Sequence, residues 1–472
     1  MARYDVVIVG MGSGGMVAAE FAASLDLRVA VVERGRVGGD CLWTGCVPSK
    51  ALLASAKAAH TMRVADQWGL PSVVPEIDTA LVWKRIRAVQ QEVATTDDNP
   101  DRYRAMGIEI IAGSATLTGP HGVRVTAGDG SVSDLDTRFV LLCTGSRPSV
   151  PPIEGLVEAG YLTSENVFEL ERGPGSVVMI GGGPIAIEMA QGFSRLGIAV
   201  TVLQRGGRIL PRDEPDLAAT LTAMLRAEGV DLRLNVETRR VTVEDGRKVV
   251  HGAEDGVDAR WDAEELMVAA GRRPNTEGLG LEKVGVEVGP KGVVVDQRMR
   301  TTVSSIYASG DLAGRFLFTH SAAYEGVRAV RDMFFPGKGT VTDFVPWCTF
   351  TDPELAHAGL TVAEARQRWG DGVDVWRMEL AHSDRARAES ASEGAIIIVT
   401  HDKKVMGAHI LAPAAGEMIH ELALAISRGM SFGDVAGLIH VYPTLSTSIG
   451  QLAAEAAFEG AKRLRWLVRR EK

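Results

Sequence analysis

The chain reads as an α/β protein built on two parallel-sheet nucleotide-binding units, followed by a further domain. Three observations predict this. A glycine-rich turn joins a buried-strand run to a helical run near the N-terminus. The same arrangement recurs in the middle of the chain. The length of 472 residues leaves room for roughly three domains.

The first unit opens with YDVVIV (Tyr4 to Val9), a short apolar strand run. GMGSGG follows, placing Gly10, Gly12 and Gly15 in GxGxxG spacing before the helical pattern MVAAEFAASL and the strand RVAVVE. This is the strand–turn–helix–strand context of a Rossmann-like dinucleotide site. Gly10 permits the tight turn, Gly12 lets the backbone approach a pyrophosphate, and Gly15 lets helix and sheet pack closely. Free N–H groups and the positive end of the helix dipole then face the phosphates. Glu33, ending the second strand, would accept hydrogen bonds from ribose hydroxyls.

The second unit repeats the pattern. SVVMI leads into GGGPIA, with Gly181, Gly183 and Ala186 at the fingerprint positions, then the helix IEMAQGFSRLG and the strand AVTVLQ. Each unit closes with a similar exit: LLCTGSRP, carrying Thr144 and Gly145, and MVAAGRRPN, carrying Gly271. Two units imply two bound nucleotides, one of them a resident flavin. In the second unit Gln204 stands where Glu33 stands in the first, and Arg205 follows it, with Arg208 and Arg212 close by. An amide beside cations favours a 2′-phosphate over a free hydroxyl, so NADPH is expected rather than NADH.

Bulk properties exclude several classes. The formal net charge of −9 argues against nucleic acid as a partner. Four cysteines in so long a chain are not a secreted disulfide scaffold, so a reducing cytoplasm is expected. MARYDVVIVG lacks a signal-peptide layout, and no run reaches the ~20 apolar residues of a membrane span. The basic tail AKRLRWLVRREK is read as a solvated helix end.

GGDCLWTGCVPSK sets Cys41 and Cys46 among glycines and a proline. Structural zinc sites need a second ligand pair at similar spacing. Cys143 lies in the apolar run LLCTG and Cys348 in VPWCTFTDPE. Both read as buried, and no metal site is expected. In a regular helix, residues five apart would have Cα atoms roughly 8–9 Å apart, beyond the ~7 Å limit for a bridge. The backbone is therefore expected to leave regular helix between Cys41 and Gly45, and Pro48 should push Val47 out of helical angles. Helix formers follow, SKALLASAKAAHTMRVADQ, and their dipole, with Lys50, would stabilise a thiolate. So short a loop gains little from a bridge. The pair reads as a catalytic dithiol rather than a structural staple.

At this point the chain resembles the FAD-dependent pyridine nucleotide-disulfide oxidoreductases, the family of dihydrolipoamide dehydrogenase, glutathione reductase and mercuric reductase. The likeness runs from about Tyr4 to about Glu459. GGDCLWTGCVPSK resembles the family's redox-active disulfide motif, ASGDLAG around Asp311 its second flavin motif, and VPWCTFTDPELAHAGLTVAEA the start of its interface domain. The resemblance implies an FAD domain (1–150), an NAD(P) domain (151–269), a returning FAD/central segment (270–343) and a C-terminal α+β dimerisation domain (344–472). It implies a homodimer whose active site is shared between subunits. Electrons would pass from NADPH through FAD to the disulfide, with Cys46 facing the flavin and Cys41 serving a small-molecule acceptor. Asp311 would hold the flavin's ribitol chain, and Lys50 and Glu188 match a pair at the flavin's reactive edge.

The chain departs from the disulfide-reducing members at IHVYPTLSTSIGQ. Tyr442 stands where they carry an acid–base histidine, and Thr447 where they carry its glutamate. A phenol with a pKa near 10 is a poor base at neutral pH but still donates a hydrogen bond. His440, two residues earlier in an extended segment, should point to the same side as Tyr442. The expected acceptor is a disulfide. A metal ion, as in mercuric reductase, or a quinone is the alternative, although the chain lacks the C-terminal cysteine pair usual in mercuric reductases. A non-catalytic flavoprotein or redox sensor is the remaining reading, opposed by the intact Cys41, Cys46, Lys50 and Glu188.

Overall fold

The structure is a computed structural model that describes residues 3–337 and 339–462. The basic tail beyond Lys462 lies outside the described residues. Among the described residues no helix is long and apolar enough to cross a membrane.

The first fingerprint strand, Arg3–Val9, is central in a seven-stranded sheet. On one side lie the parallel strands Val29–Glu33 and Glu109–Ala112. On the other lies Val132–Leu142, parallel to it and continued by the antiparallel pair Gly122–Thr126 and Ser114–Gly119. Ile306–Ala308 adds in parallel to Val132–Leu142, so a segment near residue 306 returns to the first sheet. Val6, Val7, Ile8 and Val31 are completely buried, as expected of a sheet covered on both faces.

The second unit has the parallel order Asp231–Arg233, Ala199–Leu203, Ser176–Ile180, Glu265–Val268, with an antiparallel three-stranded sheet beside it (Val236–Glu244, Arg247–Glu254, Val257–Ala263). The two units are joined by the short antiparallel pair Ser146–Pro148 and Arg272–Pro274, formed by the two exit motifs. The C-terminal part is a five-stranded antiparallel sheet, ordered Trp347–Thr349, Glu354–Gly359, Lys404–Ala412, Ala395–His401, Val373–Glu379. It packs against the helices Ala415–Arg428 and Thr447–Lys462.

One hydrophobic core crosses these parts. Ala51 and Leu52, from the helix after the cysteines, pack with Ile187 and Phe193 of the second unit and with Leu355 and Leu411 of the C-terminal sheet. This shared core brings the cysteine segment, the second fingerprint helix and the C-terminal domain to one place.

Candidate active site

A continuous cleft of about 2300 Å³ runs along the junction. Gly10, Gly12, Glu33, Cys41, Cys46, Lys50, Thr144, Gly145 and Asp311 line it from the first unit. Gly181, Gly183, Glu188, Gln204, Arg205 and Gly271 line it from the second. Gly15 and Ala186 are buried beneath the turns, consistent with the packing role of the third fingerprint position.

The two fingerprints are built alike. Gly10 has φ +100, and a Cβ there would sit 2.4 Å from the Cys143 carbonyl oxygen. Gly181 has φ +124, and its Cβ would sit 2.4 Å from the Ala269 oxygen. Only glycine fits a left-handed turn so close to the neighbouring strand. The helices Ser13–Ala23 and Pro184–Arg195 start at Gly12 and Gly183 with no side-chain cap, leaving first-turn N–H groups for an anion. Glu33 accepts from Met11 N (2.6 Å) and Gly35 N (2.7 Å). A carboxylate has further lone pairs for a ribose. At the far end Asp311 accepts from Ser146 Oγ at 2.5 Å and lies 3.4 Å from Arg272 Nε. Burial pushes its carboxyl up, while Ser146 and Arg272 oppose this. Arg272 also pairs with Asp40. Uncapped N–H turns, Glu33 at the strand end and half-buried Asp311 fit a flavin dinucleotide in the first unit, and the second turn fits a pyridine nucleotide.

The arginines around Gln204 divide. Gln204 packs against Gly182 and donates to the Arg208 carbonyl (3.0 Å), and exposed Arg205 lines the cleft beside it. Arg208 is turned into its own loop, donating to Asp213 O (3.1 Å) and Pro211 O (2.5 Å). Its expected share in phosphate recognition is therefore taken by loop bracing. Arg212 lies over the Trp347 ring, 4.7 Å from its centroid.

The cysteine segment leaves regular helix as expected. The helix Gly39–Trp43 ends, Thr44 and Gly45 take non-helical angles, and Cys46–Arg63 begins. Val47 does not: it is helical, as the second residue of that helix. Pro48 is tolerated because first-turn N–H groups have no intrahelical acceptor to lose. Cys46 thus stands at the first helical position, exposed to the cleft, with its sulfur 3.3 Å from Thr319 Oγ1. Its thiol is lowered to about 6, chiefly by the hydrogen bond from Cys41, with Thr319 and Lys50 adding and burial and Glu188 opposing. Cys41, as the donor to Cys46, is pushed far up, burial adding to this. The surroundings of the pair therefore favour the thiolate at Cys46 and the proton at Cys41.

Lys50 Nζ lies 2.8 Å from Glu188 Oε2. Glu188 is 8% exposed, and its other oxygen accepts from Phe350 N at 2.9 Å. Lys50 also sits 4.2 Å from the Phe350 ring centroid. Each part of the molecule supplies one member of this set. Among the described residues no group of three or more His, Cys, Asp and Glu is placed to hold a metal ion.

Tyr442 and His440 line no part of their own chain's cleft, and they do not share a side. Tyr442 is 63% exposed and donates to Asp384 Oδ2 at 2.8 Å, which raises its own pKa. His440 is turned inward, 8% exposed, with Nε2 3.0 Å from Glu421 Oε2 and Nδ1 3.2 Å from Leu438 O. Two residues apart in an extended chain share a side only while the chain stays extended, and here it bends into the turn before Thr447–Lys462. Thr447 closes that turn, donating to Val441 O at 2.9 Å. The sequence reading missed Thr319, Phe350, Asp384 and Arg272. Arg272 carried a signal in its place in the exit GRRPN and Phe350 in the run VPWCTFTDPE.

The profile of the pyridine nucleotide-disulphide oxidoreductases matches residues 4–326, and that of their dimerisation domain residues 345–453. The chain is 35% identical over 461 residues to a mercuric reductase of Streptomyces lividans, covering 96% of each. It is 33% identical to a dihydrolipoyl dehydrogenase of Bacillus subtilis, covering 96% of this chain and 98% of the relative. Among solved structures it is similar to LpdA of Mycobacterium tuberculosis (27% identity, TM-score 0.88, 97% and 100% covered). It is also similar to the Cu(II) complex of the HOCl-induced flavoprotein disulfide reductase RclA of Escherichia coli (28%, TM-score 0.84, 96% and 99% covered). The chain belongs to the pyridine nucleotide-disulphide oxidoreductases, NAD(P)H-dependent FAD enzymes acting on sulfur groups, and carries their dimerisation domain.

Proposed function

We propose that this enzyme reduces a small-molecule disulfide with electrons from NADPH, delivered through FAD to the Cys41/Cys46 dithiol. The observation that carries the reading is the asymmetric dithiol at the junction of the two nucleotide branches. Cys46 is held as thiolate by Cys41, Thr319 and Lys50, while Cys41 keeps a proton and serves as the thiol for exchange. FAD, when bound, supplies the two-electron relay between nucleotide and dithiol. Gly10, Gly12, Glu33, Thr144, Gly145 and Asp311 would hold it. Gly181, Gly183, Gln204, Arg205 and Gly271 would hold the nucleotide, with Arg205 favouring NADPH. The domain limits 1–150, 151–269, 270–343 and 344–472 accompany this reading, as does a cytoplasmic location. The acid or orienting group is Tyr442 from the second subunit of a homodimer, set by Asp384. His440, paired with Glu421, supports that turn rather than touching the acceptor.

The test is steady-state turnover with NADPH and NADH against lipoamide, small disulfides, quinones, Hg(II) and Cu(II). Turnover with disulfides, lost in Cys41→Ser, supports the proposal. Quinone reduction that survives Cys41→Ser, without disulfide turnover, refutes it. Tyr442→Phe should slow disulfide turnover about a hundredfold or more, the range of a lost acid–base group, and leave flavin reduction by NADPH intact.

A metal-ion acceptor is the second reading. Tyr442 bonded to Asp384 supplies no base at neutral pH, and reduction of a thiolate-bound metal ion needs none.

A further inference from the structure

We propose that Trp347 and Asp213 form a latch through which the dimerisation domain positions the loop that reads the pyridine nucleotide. The proposal rests on assigning that loop, 204–214, to nucleotide recognition.

The loop is built to hold one shape. It packs on the second fingerprint turn, where Leu210 N donates to Gly182 O at 2.8 Å. Gln204 and Arg208 brace it from within. Leu210 takes φ +48, a left-handed angle that a leucine keeps only when its surroundings impose it.

Its far end is fastened across the domain boundary. Trp347 Nε1 donates to Asp213 Oδ1 at 2.9 Å. Val362 N donates to Glu214 Oε2 at 3.1 Å. Asp213 and Glu214 are almost completely buried, so these bonds offset part of the desolvation cost of each carboxylate. Trp347 is itself immobilised. Its ring stacks on His357, directly opposite it on the next strand, with centroids 3.7 Å apart and planes at 10°. His357 meets His409 edge-on at 4.7 Å. Arg212 lies on the indole and lines the cleft.

Trp347 also reaches the dithiol side. Its ring is near-parallel to Phe318, at 6.0 Å and 11°, and Phe318 directly precedes Thr319, which touches Cys46. One rigid side chain therefore sets the nucleotide loop and borders the segment that contacts the thiolate. Its ring borders the cleft, but its hydrogen bond and ring contacts go to Asp213, Arg212, His357 and Phe318, so it acts through the loop and is a positioning residue.

The test is equilibrium titration of the FAD-loaded dimer with NADP⁺ and with NAD⁺, read by flavin fluorescence, using for comparison whichever binds wild type more tightly. Trp347→Phe keeps a ring and loses the donor. It should weaken binding about tenfold or more, the lower end of the worth of a hydrogen bond to a charged group. FAD content and kcat at saturating nucleotide should stay at the wild-type level. Asp213→Leu should weaken binding equally, Asp213→Asn, which keeps an acceptor for the indole, by less than twofold. The double variant Trp347→Phe/Asp213→Leu should be no worse than either single one, because both remove one shared contact. If Trp347→Phe does not fold, the Asn and Leu variants of Asp213 decide alone. Wild-type affinity in Trp347→Phe or in Asp213→Leu overturns the latch, as do additive losses. Wild type that binds neither nucleotide refutes the nucleotide assignment itself, and the latch with it.

Discussion

Replacing Cys41 with alanine removes the strongest influence that holds the Cys46 thiol down to about 6. What remains is divided. Thr319 and Lys50 still favour the thiolate, while burial and Glu188 oppose it. A hydrogen bond to an ionised group contributes about 1.5–3 kcal/mol, and one pKa unit corresponds to about 1.4 kcal/mol. Cys46 in Cys41→Ala should therefore titrate about one to two units higher than in wild type. Cys41→Ser keeps a hydroxyl donor and should stay within about half a unit. The assay is the pH dependence of iodoacetamide alkylation of the reduced protein, with the long-wavelength thiolate–flavin absorbance followed in parallel. At pH 7 wild-type Cys46 should be about nine-tenths ionised, and Cys41→Ala about half or less. Equal titration of Cys41→Ala and wild type would show that the helix N-terminus and Lys50 set the thiolate, and that the asymmetry between the two sulfurs has another source.

Lys50→Met should raise the Cys46 pKa and Glu188→Gln should lower it, each by about one unit at most because Lys50 is partly exposed. Shifts of the same sign in the same alkylation assay would contradict the placement of the pair. Gly10→Ala meets both an unfavourable φ and the Cys143 carbonyl. It should lose about 1–3 kcal/mol from the backbone angle alone, seen as a lower Tm and a reduced FAD content. Gln204→Glu restores a carboxylate at the end of the second unit's strand. The ratio of kcat/KM for NADPH over NADH should fall about tenfold, the scale of one charge-assisted contact, and an unchanged ratio would move phosphate recognition away from this loop.

Much of the site was legible because its parts are local. A glycine turn between strand and helix, a dithiol at a helix start and an aspartate in a short motif each impose their backbone over a few residues. The break at Thr44 and Gly45 followed from the reach of a disulfide alone. Where local reasoning failed, neighbours intervened. Pro48 entered the helix because its missing N–H had no partner there. Arg208 spent its guanidinium on its own loop. His440 turned toward Glu421 because the chain bends before the last helix.

The sequence by itself determined the two glycine turns, the cysteine pair ahead of a helix and the order of the units, since each is written in contiguous residues whose φ angles, helix ends and strand runs depend little on the rest of the chain. Tertiary structure alone decided what surrounds the sulfurs. Thr319 meets Cys46 across 273 positions of sequence, and Phe350 meets Glu188 across 162. The second contact exists because one hydrophobic core packs the cysteine helix, the second fingerprint helix and the C-terminal sheet together, and the first because the helix Thr319–Phe334 is packed into the core of the first unit. No short motif encodes the packing of three separate parts. The acidity of Cys46 is accordingly a property of the assembled fold rather than of GGDCLWTGCVPSK.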